Sequence, residues 1–318
     1  MTVQEIQEAF DRIRPHVLIS PLLPCLWCGD AVWIKGENLQ RTGAFKIRGA
    51  FNMLLAQTQR GKVLGVVAAS SGNHGQAVAY AARRLGLPSV VIMPENANRV
   101  KVEATRRWGA HILFAPPDSQ ARLRMAEEVA QEKGFLLVPP YDHPLIMAGQ
   151  GTTALEILQQ LPDVEEVYVP LGGGGLAAGV STALKALKPA VKVLGVEPEG
   201  AADHYLSRQN ARRTPWPEVH TVADGLRASI PGELTFPILQ RYLDDIILVS
   251  DEEILQTMGH LGFQSKLVVE PSGATALAGL RQRQKDGVRQ VALLSGGNVE
   301  GELWQAWVDL SARSSLDH

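Results

Sequence analysis

The sequence predicts an α/β protein built from open parallel sheets with helices on both faces. Three observations lead there. The short strand-like runs are apolar at nearly every position, which marks strands buried on both faces and therefore a parallel sheet. Those runs alternate with stretches of helical period that stop at glycine or proline. The chain has 318 residues, 45% hydrophobic and 20% charged, enough for one large or two medium domains with a substantial core.

The first segment, 1–17, spaces Ile6, Phe10 and Ile13 as one face of an amphipathic helix and carries acids, unlike a secretory leader. A strand is expected over 31–35 and a helix over 48–57. The rhythm then becomes regular: strand 63–69, helix 73–85 stopped by Gly86 and Pro88, strand 89–93 ended by Pro94, helix 98–108 stopped by Gly109, strand 111–114, helix 119–133 and strand 135–138. Several such units lie within 65–142, which is expected to form a smaller domain. Residues 1–64 together with 143–318 are expected to form the larger one.

The second half repeats the pattern with helix 149–160, strand 166–170, four glycines, helix 176–187 and strand 191–196. From 197 to 232 it breaks into loops around Pro198, Pro215, Pro217 and Pro231. Strand 246–249, helices 251–264 and 273–286, strand 291–294 and a short C-terminal helix complete the series. No regulatory module is expected after Asn298.

A formal net charge of -2 favours no nucleic-acid partner, and no basic block points to an anionic membrane surface. No apolar run approaches the length of a bilayer, so a cytoplasmic protein is expected. Cys25 and Cys28 form a single Cys-x-x-Cys without a second ligand pair, which argues against structural zinc and for two reduced, partly buried thiols.

Chemistry is concentrated in four loops. The stretch from Gly36 to Ala50 places Lys46 directly after Phe45, between Gly43 and Gly49, where a strand gives way to a helix. Taken alone, Lys46 reads more readily as a solvated lysine in a basic loop with Arg41 and Arg48, because surface lysines are common and reactive ones rare. Gly72 to Gly75, Gly172 to Gly175 and Ser295 to Asn298 each follow a strand-like run. Four glycines ahead of a helix free several backbone N–H groups for one anion. By spacing alone the same glycines, with Glu197 ending the next strand, equally fit a dinucleotide-binding fingerprint. Ser295 alone reads equally as a cap or turn residue, and Ser70 to His74 as an ordinary helix start.

On these motifs together, from Arg41 to Asn298, the chain resembles the pyridoxal phosphate (PLP) enzymes of the tryptophan synthase β type (fold type II). Within them it is similar to the serine/threonine dehydratase and serine racemase branch. The resemblance implies that Lys46 is the Schiff-base lysine, acting as nucleophile and then as base, and that Phe45 packs on the pyridine ring. It assigns Gly172, Gly173, Gly174, Gly175 and Leu176 to the cofactor phosphate, Asn73 to the ring hydroxyl, Ser295 to the ring nitrogen, and Glu270 to the ring's neighbourhood.

Ser70, Ser71, Gly72, Asn73 and His74 would bind the substrate carboxylate, and Ser71 matches the proton donor of the racemases. Glu197, the Ala201 carbonyl and Asp203 match a cation site that suits Mg²⁺, Ca²⁺ or Mn²⁺. Gly149 to Thr152 is expected to cap a helix near the site. Two positions depart from the pattern: Ala44 replaces a serine, and Asn98 stands where proline is common. The activity implied is an ammonia-lyase for L-threonine, L-serine or a related β-hydroxy-α-amino acid, in a homodimer, with a serine racemase or 3-hydroxyaspartate dehydratase as the alternative. An NAD-dependent dehydrogenase is the remaining, fingerprint-based reading.

Overall fold

The computed structural model describes residues 1–70, 72–97 and 99–314, so the expectations for Ser71 and Asn98 lie outside the described residues. Two sheets form. The larger has the order β1 (Leu22–Pro24), β2 (Val32–Gly36), β10 (Gln290–Leu294), β7 (Glu166–Pro170), β8 (Lys192–Pro198), β9 (Asp245–Val249). Its pairings are parallel except for β1 against β2. The smaller sheet runs β5 (His111–Ala115), β4 (Ser89–Pro94), β3 (Val66–Ala69), β6 (Leu136–Leu137), all parallel.

The all-apolar strands are explained by what covers them. Val167 and Val169 of β7, with Val291 and Leu293 of β10, face a cluster made with α1 (Val3–Ile13), α6 (Pro144–Gln160), α7 (Gly175–Leu187) and α9 (Thr235–Tyr242). Tyr168, Ala292 and Leu294 alternate with them and face α10 (Asp251–Ser265) and α11 (Pro271–Gln282), beyond which packs α12 (Gly301–Ser314). In the small sheet Val66 and Ala68 turn toward α2 (Lys46–Arg60) and α3 (Asn73–Arg84). Val67 turns instead toward α5 (Ser119–Lys133). Period-2 geometry on two covered faces leaves no polar side to the strand.

Four features differ from the expectation. β1 was hidden in a proline-rich lead-in, and Pro24 is tolerated there because β1 is an antiparallel edge strand. The stretch read as loops holds a further helix, α8 (Asp203–Gln209), and α9 follows it. Cys25 and Cys28 are buried rather than partly buried, with 2.6 Å between their sulfurs.

The largest difference concerns α6, which starts at Pro144 behind an N-cap at His143, so Gly149 and Gly151 lie inside the helix and cap nothing. They are glycines because of contact. A Cβ on Gly149 would stand 2.7 Å from the Arg48 carbonyl oxygen and from Gly49 Cα, and one on Gly151 would stand 2.8 Å from the Gly179 carbonyl oxygen. α6 thus touches α2 and α7 backbone to backbone.

The loops singled out for chemistry all leave the C-terminal ends of parallel strands, where open α/β sheets gather their ligands. β2 leads to the lysine loop, β3 to Ser70, β7 to the four glycines, β8 through Glu197 to Asp203, and β10 to Ser295. Among the described residues no helix is long and apolar enough to cross a membrane.

Candidate active site

Lys46 is the first residue of α2, and the backbone before it is fixed by the loop after β10. The Phe45 N–H donates to the Ser295 carbonyl at 3.1 Å and the Gly297 N–H donates to the Gly43 carbonyl at 2.8 Å. Gly43 holds φ at +71°, and a Cβ there would meet Asn298 Oδ1 at 2.5 Å, so two reasons require glycine. Ala44, the departure from the family pattern, is buried and bridges to Gly296 through its backbone. Lys46 Nζ donates to the Pro140 carbonyl at 2.8 Å and lies 5.1 Å from the centre of the Phe45 ring. Burial lowers its pKa to about 8, with Glu270 pulling the other way. About a tenth of this amine is therefore neutral at pH 7, far more than for an ordinary lysine.

Opposite it, α3 and the β10 loop share a chain of amides. Asn73 Nδ2 donates to Glu270 Oε1 at 2.5 Å, while Asn298 Nδ2 donates to Asn73 Oδ1 at 2.7 Å and to the Thr42 carbonyl at 2.8 Å. Glu270 is buried, and that burial, reinforced by the Asp224 carboxylate, raises its pKa to about 7 against the pull of Asn73, Lys101 and Lys46. Ser295, also buried, donates to the Ser272 carbonyl at 3.2 Å.

The glycine loop is an anion cradle. Leu171 N–H is the last to be satisfied, by the Val196 carbonyl. For the amides of residues 172–176 no acceptor exists among the described residues, and they sit at the positive end of α7. Gly174 takes φ +89°, a left-handed conformation that turns the loop into the helix. The Thr235 hydroxyl donates to the Gly173 carbonyl at 2.8 Å. Thr235 is itself held by Asp142, whose carboxylate accepts from the Glu233, Leu234 and Thr235 amides at 2.8, 2.9 and 3.1 Å. Leu176 is buried behind the loop. Consecutive amides lacking partners at a helix N-terminus, with a lysine of lowered pKa and an aromatic ring in the lysine loop, fit the phosphate and aldehyde ends of pyridoxal phosphate.

Ser70 Oγ accepts from the Gly72 N–H at 3.2 Å where α3 begins. His74 is buried with Nε2 at 2.8 Å from the Val138 carbonyl. Burial first, and the Lys46 charge second, lower its pKa to about 3, so this imidazole is neutral.

Glu197, Ala201 and Asp203 are all fully buried. The Glu197 oxygens accept from the His204 and Tyr205 amides at 2.9 and 2.8 Å, whereas both Asp203 oxygens lack any partner. Burial raises Asp203 to about 8, and burial together with Asp203 raises Glu197. The two open oxygens of Asp203, beside the Glu197 carboxylate, are donors fit for a hard cation. The described residues hold no group of three or more His, Cys, Asp or Glu that could make a side-chain metal cluster. Glu197 is spent on capping α8, so the acid that a ribose hydroxyl would need is not free.

Pro140, Tyr141, Asp142 and Thr235 were not singled out in the sequence. A carbonyl acceptor has no residue signature, and Tyr141 matters only because its ring lies against Gly173 and its Cβ and backbone against Gly175. Arg48 was grouped with solvated basic residues and is instead fully buried.

The sequence profile of the family described as "Pyridoxal-phosphate dependent enzyme" matches residues 13–296. An L-threonine ammonia-lyase of Geobacter sulfurreducens is 43% identical over 301 residues, covering 93% of this chain and 75% of the relative. An L-threo-3-hydroxyaspartate ammonia-lyase of Saccharomyces cerevisiae is 40% identical, covering 94% of each. The structure of maize serine racemase superposes with a TM-score of 0.91 at 36% identity over 99% of both chains.

Proposed function

The chain belongs to the pyridoxal-phosphate dependent enzyme family, and from that premise we propose that it is an ammonia-lyase whose leading substrates are L-threonine and L-serine. When bound, the cofactor supplies an electron sink that makes the α-proton of an amino acid removable. In this reading the free amides of residues 172–176 take its phosphate, and Phe45, Asn73, Glu270 and Ser295 surround its ring. The Lys46 amine would hold the cofactor aldehyde and would serve as the base that takes the α-proton of the bound amino acid.

Ser70, Ser71, Gly72, Asn73 and the neutral His74 hold the substrate carboxylate at the start of α3. The 65–142 unit serves as the substrate-side domain against the cofactor-side domain of 1–64 and 143–318. The β-hydroxyl leaves as water, and the released enamine hydrolyses to a 2-oxo acid and ammonia. A serine hydroxyl at the ring nitrogen does not hold that nitrogen charged as a carboxylate would, which favours prompt loss of a β-substituent over a long-lived carbanion.

The observation that carries this reading is the depressed, half-buried Lys46 in the loop facing the unpaired glycine amides; the two ammonia-lyase relatives support the reaction class. Incubating the protein with L-threonine or L-serine should yield 2-oxo acid and ammonia, and Lys46→Ala should lose both the visible cofactor absorbance and turnover. Turnover that survives the substitution sinks the mechanism.

Two other outcomes have their own support. The likeness to maize serine racemase favours racemisation, read as D-serine by chiral analysis, and the yeast relative favours L-threo-3-hydroxyaspartate as substrate. Glu197, Asp203 and the Ala201 carbonyl bind Mg²⁺, Ca²⁺ or Mn²⁺ in the same reading, supported by the two open oxygens of Asp203. A cytoplasmic homodimer completes it, tested by sedimentation and fractionation.

A further inference from the structure

Two residues beyond Lys46 the chain buries four charges together. Lys35, Glu37 and Arg48 are 0% exposed and Glu156 is 1% exposed. Arg48 donates to Glu37 from Nε at 2.8 Å and Nη2 at 2.7 Å, and to Glu156 from Nη1 at 2.7 Å and Nη2 at 2.9 Å. Nη1 also reaches Thr152 Oγ1 at 3.1 Å. Lys35 Nζ donates to Glu156 Oε2 at 2.6 Å, to the Ser20 carbonyl at 2.6 Å and to Gln160 Oε1 at 2.9 Å. Ser20 Oγ closes the ring by donating to Glu37 Oε1 at 2.5 Å.

Stability does not explain such a cluster. Two cations and two anions taken wholly out of water cost several kcal/mol per ion to desolvate, and apolar residues of the same volume often do as well or better. What a planar guanidinium held by two carboxylates does better than an apolar contact is fix direction as well as distance. The segments it joins are those that carry the lysine loop. Lys35 is the last side chain before Gly36 closes β2, Glu37 sits in the turn that follows, Arg48 is in the first turn of α2, and Thr152 and Glu156 are on α6. Gly49 continues the clamp: its N–H donates to Gln150 Oε1 at 3.2 Å, and a Cβ there would meet the Ile146 carbonyl oxygen at 3.0 Å. Residues i and i+2 of a helix point to opposite sides. The fork therefore grips α2 from behind while Lys46 projects from its front to the Pro140 carbonyl.

We propose that Arg48, forked between Glu37 and Glu156, is a positioning residue that sets where the Lys46 amine stands. This rests on the reading of Lys46 as the reactive amine, and the experiment separates the two. Borohydride reduction of the wild-type holoenzyme comes first: if the label is not on Lys46, the reading of the site fails, and this inference with it.

With the label on Lys46, the Arg48→Lys holoenzyme keeps the charge and loses the fork. It is expected to fold and melt somewhat lower, with kcat reduced about 10- to 100-fold and KM changed less than about two-fold, as for an ångström-scale misplacement of a catalytic group. The midpoint of its kcat–pH profile should move up from about 8, because a loosened amine is better hydrated. Arg48→Met should lose more, so that Arg48→Lys stands as a partial rescue. An Arg48→Lys enzyme that melts lower yet keeps kcat and the midpoint overturns the proposal and leaves the cluster purely structural. Should Arg48→Lys not fold, Glu37→Gln, which removes one anion at nearly constant shape, decides by the same two readouts.

Discussion

Lys46 owes its chemistry to where its amine ends: against a carbonyl, beside a phenyl ring, with the Glu270 charge acting on it. A base must be unprotonated to accept a proton, and burial has brought this amine to about 8. kcat should therefore climb through that pH and fall about ten-fold for each unit below it, which a kcat–pH profile on L-threonine checks.

Glu270 has the opposite sign. Its pKa is raised to about 7, so the stability that goes with its neutral form is complete below the ordinary carboxyl pKa and is lost as pH rises through 7. Glu270→Gln, which still offers an oxygen to Asn73, should flatten part of the fall in melting temperature between pH 5 and 8. Lys46, the four glycines and Ser295 were legible in the sequence only because their motifs together resemble one family, each alone having a second reading. Pro140 and Tyr141 were not, since a backbone carbonyl and a packing ring acquire their role only from what folding sets beside them.

At the scale of elements, α6 is the piece the sequence misled about. Glycine inside a helix is unfavourable, so Gly149 and Gly151 read as a boundary, whereas contact with α2 and α7 is what requires them. Gly149→Ala would press a methyl onto the Arg48 carbonyl and Gly49 Cα, backbone atoms with no room to yield. A loss of about 1–3 kcal/mol is expected, read as a lower denaturation midpoint with unchanged slope.

α8 was missed for a different reason: its N-terminus is capped by Glu197, seven residues or so upstream on β8, rather than by a neighbour in sequence. Its first residue, Asp203, is a buried carboxylate with both oxygens open. A divalent cation should raise the melting temperature and EDTA should lower it. Asp203→Asn should abolish that response while making the cation-free protein more stable, since asparagine needs no bound proton to stay neutral in a buried site, whereas burial raises Asp203 to about 8. A cation response that survives Asp203→Asn places the ion elsewhere.

At the scale of the molecule, both sheets were readable because strands covered on two faces carry no polar alternation, as in Val66 to Ala69 and Glu166 to Pro170. What the chain order could not give is convergence. Residues 43–46, 73, 172–176, 270 and 295–298 come from five segments; four follow the C-terminal ends of parallel strands, and Glu270 joins them from the start of α11. The arrangement stands on one claim, that the amine of Lys46 holds the aldehyde while the loop at Gly172 holds the phosphate. Reducing the cofactor-loaded protein with borohydride and mapping its peptides by mass tests this most directly. The account predicts one phosphopyridoxyl group, on Lys46; a protein that takes up no cofactor, or carries the label on another lysine, contradicts it.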